Sequence, residues 1–433
     1  MRRLADKTQV FPLEKNDSVR NRLTHSHEVS TLARSVGIAL VYHTTVFDGI
    51  RDANRNVPAM LAAIGLAHDL GNPPFGHQGE KAIAGWFREH RSVLTEGHSL
   101  TDQMEQDFLT FDGNAQTLRI VSRLQLPNDG RSLNLTLGTL GALMKYTVGS
   151  TKISDDWAST KKFGYFVSED AVVRDIREAT GLSEGVRHPL AFVMEACDDI
   201  AYSILDVEDA VKKGIVSAAD VLWSLKAASR AELPRPQREI LINIHNKAEK
   251  DYNDYRKQQL SPVELNDISM QKLRVYAIEA MVHAIVDEFG RNIDPIMSGM
   301  YRSELLKSSC AGAVCSELKK FALQHVYSHR SVLEIELRGH KTVRKLMRIF
   351  WKAILAEREG NEGPFESYVN RRISENYRRI AKDDSSHLPP RYRDCQLLTD
   401  MMSGMTDGHA VELCRDLRML EAPSEKTFYS ILR

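Results

Sequence analysis

Between Gly65 and Glu80 the sequence reads GLAHDLGNPPFGHQGE, two histidines and two carboxylates around a Gly/Pro-rich turn. His68 and Asp69 end an apolar run that reads as a helix, so they fall where unpaired carbonyls carry the negative end of the helix dipole. An imidazole nitrogen beside a carboxylate oxygen is a ligand pair for Mn, Fe, Co, Ni or Zn, with Mg an option at a carboxylate-rich neighbouring position. A lone His-Asp pair is more often a cap or a salt bridge, so other donors are required. His25, early in an amphipathic stretch three residues after Arg22, is one. Asp198, inside the apolar stretch EACDDIAYSILDVED, is another. A buried carboxylate is costly unless it is paired or ligates a metal, and an arginine partner is the plain alternative.

Asp198, Tyr202 and Asp206 are spaced by four, so they drift only ~80° around a helix and form a line ~12 Å long. One face then presents carboxylate, phenol, carboxylate over about the reach of a nucleoside. A solvated acidic face is the simpler account of Asp206, Glu208 and Asp209, but it leaves Tyr202 unexplained.

Helical periodicity dominates the elements that must position these groups. RLTHSHEVSTLARSVGIAL carries apolar residues at helical spacing with Thr24 as candidate N-cap. VPAMLAAIGLAHDLG opens with Pro58 in its first turn and stops at Gly71. A long helix runs from Pro189 to Gly214, and further helices are expected at 267–289, 315–326, 340–358 and 408–420. KKFGYFVS is the best candidate for a short β-hairpin. The spacing predicts a mainly α protein with at most that hairpin. A catalytic core over 1–228, a charged helical excursion over 229–266 and a C-terminal helical region over 267–433 are expected.

The chain has 433 residues, 42% of them apolar and 27% charged, with formal charge zero. No global field argues for nucleic acid or membrane, so any basic site must be local. Five scattered cysteines without a CxxC pair read as reduced core residues. The N-terminus lacks a signal-peptide pattern, and the apolar runs fall short of the ~18–20 residues a bilayer needs, so a cytoplasmic location is expected.

The order His25, His68-Asp69, Asp198 resembles the HD superfamily of metal-dependent phosphohydrolases. The longer phrases RRLADKTQVFPLEKNDSVRNRLTHSHEV, HDLGNPPFGHQGE, FDGNAQTLRI and HPLAFVMEACDDIAYSILDVEDA are similar to the deoxyguanosinetriphosphate triphosphohydrolases, as is SGMTDGHAVEL near the C-terminus. Members carry an N-terminal arm before RRLADKTQV, where this sequence begins. His27 stands where a hydrophobic residue is common and is expected to face away from the metal.

The resemblance implies hydrolysis of dNTPs, dGTP by family default, to deoxynucleoside and tripolyphosphate. Water activated by a divalent metal, Mn²⁺ or Mg²⁺ first and Fe, Co or Ni next, would attack the α-phosphorus. His25, His68, Asp69 and Asp198 would hold the metal. His77 would protonate the leaving 5′-oxygen, and Glu80, one turn on, would hold its imidazole. His77 as an ordinary helix-start residue is the alternative. Arg22 would reach the α-phosphate, and Lys145 and Tyr146 the distal phosphates. Asn114 and Arg119 would line the pocket, a helix cap being the plain account of Asn114. Tyr202 would pack on C2′ and exclude ribose, while Asp206 and Gln9 bond the 3′-hydroxyl. The stretch SYVNRRISENYRRIAKDDSSHLPPRYRDC mixes arginines with tyrosines and suits a neighbouring subunit's nucleotide, an effector dNTP or single-stranded DNA. A hexamer is the assembly the resemblance implies. The alternatives are an HD phosphohydrolase of another nucleotide, or a nucleic-acid-binding or regulatory HD protein.

Overall fold

The computed structural model describes residues 2–14, 16–95, 100–125, 132–383 and 386–421; Asp384 and Ser385 of the Arg/Tyr stretch and residues 422–433 lie outside it. Among the described residues the architecture is all helix, with no strand beyond a single bridge between Thr8 and Asn21. The helices that bear on function are, in chain order, α1 (Arg22–His43), α2 (Ala53–Ala67), α3 (Gly76–Glu89), α4 (Gly113–Arg119), α5 (Pro189–Lys212), α6 (Arg235–Arg256), α7 (Pro262–Arg291), α8 (Gly312–Phe321), α9 (Arg330–Glu359), α10 (Pro390–Ser403) and α11 (Asp407–Leu420).

Local chemistry sets the ends of these helices. Asn21, not Thr24, caps α1: its side chain accepts from the Thr24 amide at 3.0 Å, and the Thr24 hydroxyl accepts from the Asn21 amide at 3.0 Å. This is a reciprocal capping box, with Thr24 as its third helical residue. Helix α2 starts a turn before the expected position, so Pro58 lies inside it rather than in its first turn. Helix α5 begins at Pro189 and ends before Gly214, whose φ of 67° stops it, as expected. The KKFGYFVS segment forms no hairpin. Its apolar alternation has another cause: Phe163 and Phe166 enter one core while Tyr165 enters the other.

Those two cores organise the molecule. One joins α1, α2, α5 and α7 through residues such as Val29, Ile64, Ile200 and Met281. The charged stretch after residue 230 forms α6, whose Leu241, Ile244 and Ala248 join this core. The other gathers α3, α9, α10 and α11 around Phe87, Phe350, Leu398 and Leu413. The segment after α2 runs between them: Ala67 belongs to the first core, Phe75 to the second, and Leu70 packs against both. Helices α1 and α2 touch backbone to backbone, since a Cβ at Gly65 would lie 2.9 Å from Ser30 Cα. That approach needs glycine, and it sets the N-terminal end of α1 beside the C-terminal end of α2. No described helix is long and apolar enough to cross a membrane. The five cysteines are free, four of them buried.

Candidate metal and catalytic centre

His25 sits one turn into α1, 1% exposed, and His68 closes the C-terminal end of α2. Asp198 comes from the middle of α5. His25 Nε2 lies 3.1 Å and His68 Nε2 3.5 Å from the same oxygen, Asp198 Oδ1. One donor atom from each of the three residues falls within 4.8 Å of the others. His68 Nδ1 donates to the Gly65 carbonyl at 2.7 Å, which turns the Nε2 lone pair inward, and His68 Nε2 is buried without a hydrogen-bond partner. A backbone bond that fixes the ring and tautomer is the usual support of a metal-ligating histidine. The donor set therefore fits a divalent cation.

Asp69 stands beside this trio. Its Oδ2 is 3.5 Å from His68 Nε2 and accepts from Arg22 Nη1 at 2.6 Å, while Asn72 donates to Oδ1 at 2.5 Å. Arg22, expected at a phosphate, is thus engaged in orienting Asp69. Burial works against the His68 imidazolium, but Asp69 and Asp198 outweigh it and raise this imidazole to about 9. Burial likewise works against both carboxylates. Arg22 and His68 hold Asp69, and His68 and His25 hold Asp198, well below the usual carboxylate range. Charges that favour a proton there also favour a metal cation.

The loop from Asn72 to Gly76 leads directly into α3. Phe75 and Gly76 both have positive φ, 63° and 53°, and this double left-handed turn starts the helix at Gly76. His77 and Glu80 then fall one turn apart, with His77 Nδ1 2.8 Å from Glu80 Oε2. Glu80 Oε1 accepts from the Gly113 amide, at the start of α4, at 2.8 Å. Burial would raise the Glu80 carboxyl, yet the His77 hydrogen bond and nearby charges bring it down to about 2.

All these groups line one cavity of about 740 Å³, shared by Gln9, Asn114, Lys145, Tyr146 and Tyr202. Asp206, expected at the site, does not line it. It is fully buried, and its Oδ2 accepts from the Tyr327 hydroxyl at 2.6 Å. Glu208 and Asp209 are buried too, bonded to Arg20, so this end of α5 is no solvated acidic face. Arg119 is likewise elsewhere, buried between Asp400 and Glu169. His27 is exposed on the far side of α1, as expected.

Tyr327, Lys81 and Lys162 are among the lining residues that the sequence did not single out. Tyr327 ends a π-wound segment, Ala322–Tyr327, and its ring stacks on Tyr202 with centroids 5.7 Å apart. Lys81 and Lys162 add cations to Lys145, Lys162 bonding Asp112 at 2.6 Å and Lys145 lying 3.4 Å from Glu195. Burial disfavours both Lys145 and Lys162 ammoniums, but Glu195 and Asp112 more than compensate and raise them.

A helical scaffold that brings two histidines and an aspartate within ligating reach of one another is the arrangement expected of an HD-type phosphohydrolase. Residues 307–416 match the phosphohydrolase-associated domain. A deoxyguanosinetriphosphate triphosphohydrolase-like protein of Listeria monocytogenes is 36% identical over 436 residues, covering 97% of this chain and 91% of its own. A Listeria innocua protein of the same description matches equally. A probable deoxyguanosinetriphosphate triphosphohydrolase of Pseudomonas aeruginosa is 32% identical over 97% of this chain and 90% of its own. The chain belongs to the deoxyguanosinetriphosphate triphosphohydrolase-like family.

Proposed function

We propose that this protein hydrolyses deoxynucleoside triphosphates, dGTP foremost, to deoxynucleoside and tripolyphosphate. The observation that carries the reading is that one cavity holds the His25, His68 and Asp198 donors, the His77–Glu80 pair and a group of lysines. His25, His68 and Asp198, with Asp69 braced by Arg22, would hold a divalent ion, manganese or magnesium. Such an ion supplies Lewis acidity toward phosphate oxygens and makes water a stronger nucleophile near neutral pH. Water adds to the α-phosphorus as the P–O5′ bond breaks, and His77 delivers the proton that O5′ requires. Glu80 fixes that imidazole.

Lys145 and Lys162, with Tyr146 and Asn114, meet the charge of the triphosphate. The stacked Tyr202 and Tyr327 rings form a wall for the sugar, against which a 2′-hydroxyl would be buried unpaired. Gln9, whose Oε1 is buried without a partner, offers an acceptor to the 3′-hydroxyl. Asp206 contributes to sugar reading by anchoring the Tyr327 ring. Hexamer formation and a cytoplasmic location belong to the same proposal and rest on the family resemblance.

The test is a product profile. Purified protein with Mn²⁺ is incubated with each dNTP and with GTP, and the products are separated by ion-exchange chromatography. Deoxynucleoside with intact tripolyphosphate, strongest for dGTP and weak for GTP, is expected. Deoxynucleoside monophosphate with pyrophosphate, or diphosphate with phosphate, would overturn the reaction. No product from any nucleotide would favour a regulatory HD protein.

A further inference from the structure

Helix α4, Gly113–Arg119, is two turns long, and of its residues only Asn114 lines the catalytic cavity. Hydrogen bonds from three functional groups nevertheless end on it or on its cap. On the metal side stands Thr117, 2% exposed. Its hydroxyl accepts from the Gly71 amide at 2.9 Å and shares its proton between the His68 and Gly113 carbonyls, each 3.0 Å away. The His68 carbonyl lies at the end of α2, where helical carbonyls lack an intrahelical partner. One hydroxyl thus holds the chain on both sides of Asp69. The approach is close, since a Cβ at Gly71 would collide with the Gly113 carbonyl and the Thr117 amide.

On the acid side, the Gly113 amide donates to Glu80 Oε1 at 2.8 Å, and a Cβ at Gly113 would crowd that oxygen and the Asn72 side chain. On the phosphate side, Asp112 caps the helix. It accepts from the Asn114 amide at 2.8 Å and from Lys162 Nζ at 2.6 Å. The far end of α4 is anchored in the interior. Gln116 and Arg119 both donate to Asp400 of α10, at 2.9 and 2.8 Å, and Arg119 donates to Glu169 at 2.9 Å. Arg119, Asp400 and Glu169 are all buried, and charge-assisted bonds of this kind hold the helix in place.

Thr117 and Gly113 are four residues apart, so about 6 Å of helix separates the grip on His68 and Gly71 from the grip on Glu80. Neither residue lines the cavity. We infer that α4 is the spacer between the metal ligands and the acid pair, with Thr117 as its positioning residue. The hydroxyl acts from outside the cavity, through the turn it holds. The metal-side half of this inference stands on the donor set; the half about turnover rests on the function proposed above.

A packing role is the plain alternative, in which the γ-methyl of Thr117 fills space and the hydroxyl is incidental. Four side chains at this position separate the two. Thr and Ser carry the hydroxyl, and Val and Ala lack it. Thr and Val carry the branched methyl, and Ser and Ala lack it.

The full-length, metal-free protein and its three variants are titrated with Mn²⁺ by calorimetry, below the melting transition of each. Thr117→Val and Thr117→Ala should bind about tenfold more weakly, the lower end of what a lost supporting bond costs a metal site. Thr117→Ser should stay within about threefold of wild type. At saturating Mn²⁺, kcat on whichever nucleotide the wild type cleaves should fall about tenfold or more in the Val and Ala variants, because a small misplacement of reacting groups is costly. KM should stay within about twofold, since Asp112 holds Lys162 and Asn114 without Thr117. The reverse ranking, Thr117→Val equal to wild type and Thr117→Ser as impaired as Thr117→Ala, would assign Thr117 to packing and overturn the inference, as would four equal isotherms. Weaker metal binding with kcat unchanged would overturn the spacer, because the acid pair would then not follow the metal side. Should Thr117→Val fail to fold, the Ser and Ala variants still differ by the hydroxyl alone. The titration contains no nucleotide, so a product profile that rejects the proposed reaction leaves the metal-side ranking decided.

Discussion

Glu80 divides its oxygens between two tasks: Oε2 meets His77 and Oε1 receives the Gly113 amide. Held at about 2, its carboxyl is ionised across any working range and so offers His77 Nδ1 an anionic acceptor. His77→Ala should therefore keep its full complement of bound manganese and lose about 10²–10⁴ in kcat, the usual worth of a positioned acid. Glu80→Gln should keep the metal and lose less, because the imidazole remains but is no longer fixed by an anion. Metal analysis beside steady-state kinetics checks both, and full activity in His77→Ala would remove that residue from the acid role. His77 and Glu80 were legible through the resemblance carried by HDLGNPPFGHQGE, and folding pairs them one turn apart. Lys162 was not, since only folding brings this lysine to the wall of the cavity. Arg22 was half legible: its presence near His25 was plain, but its bond to Asp69 joins two helices that only folding brings together.

At the scale of an element, α5 is the rod on which Asp198 and Tyr202 are mounted, and its start depends on an unusual cap. His188 accepts from the Leu190 amide through Nδ1 at 3.1 Å, which requires a neutral ring. Burial lowers this imidazole from 6.5 to about 4. Between those values the unfolded chain binds a proton that the folded chain does not. The stabilisation is thus complete above pH 6.5 and is lost as pH falls toward about 4, below which it changes no further. His188→Asn retains a capping side chain but cannot titrate. Wild type should lose on the order of 1–2 kcal/mol more than this variant between pH 7 and pH 4, allowing for partial solvent access, as read from urea midpoints. Parallel pH profiles would refute the cap. The limits of α5 were legible because Pro189 and Gly214 are stop signals that act locally. Tyr327 was not. The π winding of Ala322–Tyr327 displaces the 3.6-residue periodicity, so no pattern count sets it beside Tyr202.

On the scale of the whole molecule, distant segments around Thr8 and Asp407 meet at the Asn72–Gly76 loop. Asp407, 1% exposed, accepts from the amides of Thr8 and Phe75 and from the Thr8 hydroxyl, joining residues 332 and 399 positions away. In the sequence it reads as an acidic residue in the first turn of a helix, favourable to the dipole and otherwise unremarked. Its real partners belong to distant segments, and nothing local announces them. Phe75 needs the help, because a non-glycine residue at φ 63° is held only by its surroundings. Asp407→Ala would leave two amides buried without acceptors, at a cost of about 2–4 kcal/mol in unfolding free energy. It would also release the backbone that aims His77 and Gln9. The expected result is a large fall in kcat with metal content unchanged, since His25, His68 and Asp198 lie outside this brace. Asp407→Asn, which keeps one acceptor oxygen, should recover part of both losses. A variant that loses stability but retains kcat below its unfolding transition would show that α11 supports the fold and does not aim the acid. The opposite pairing, intact stability with lost turnover, would place the whole effect in the geometry of the loop.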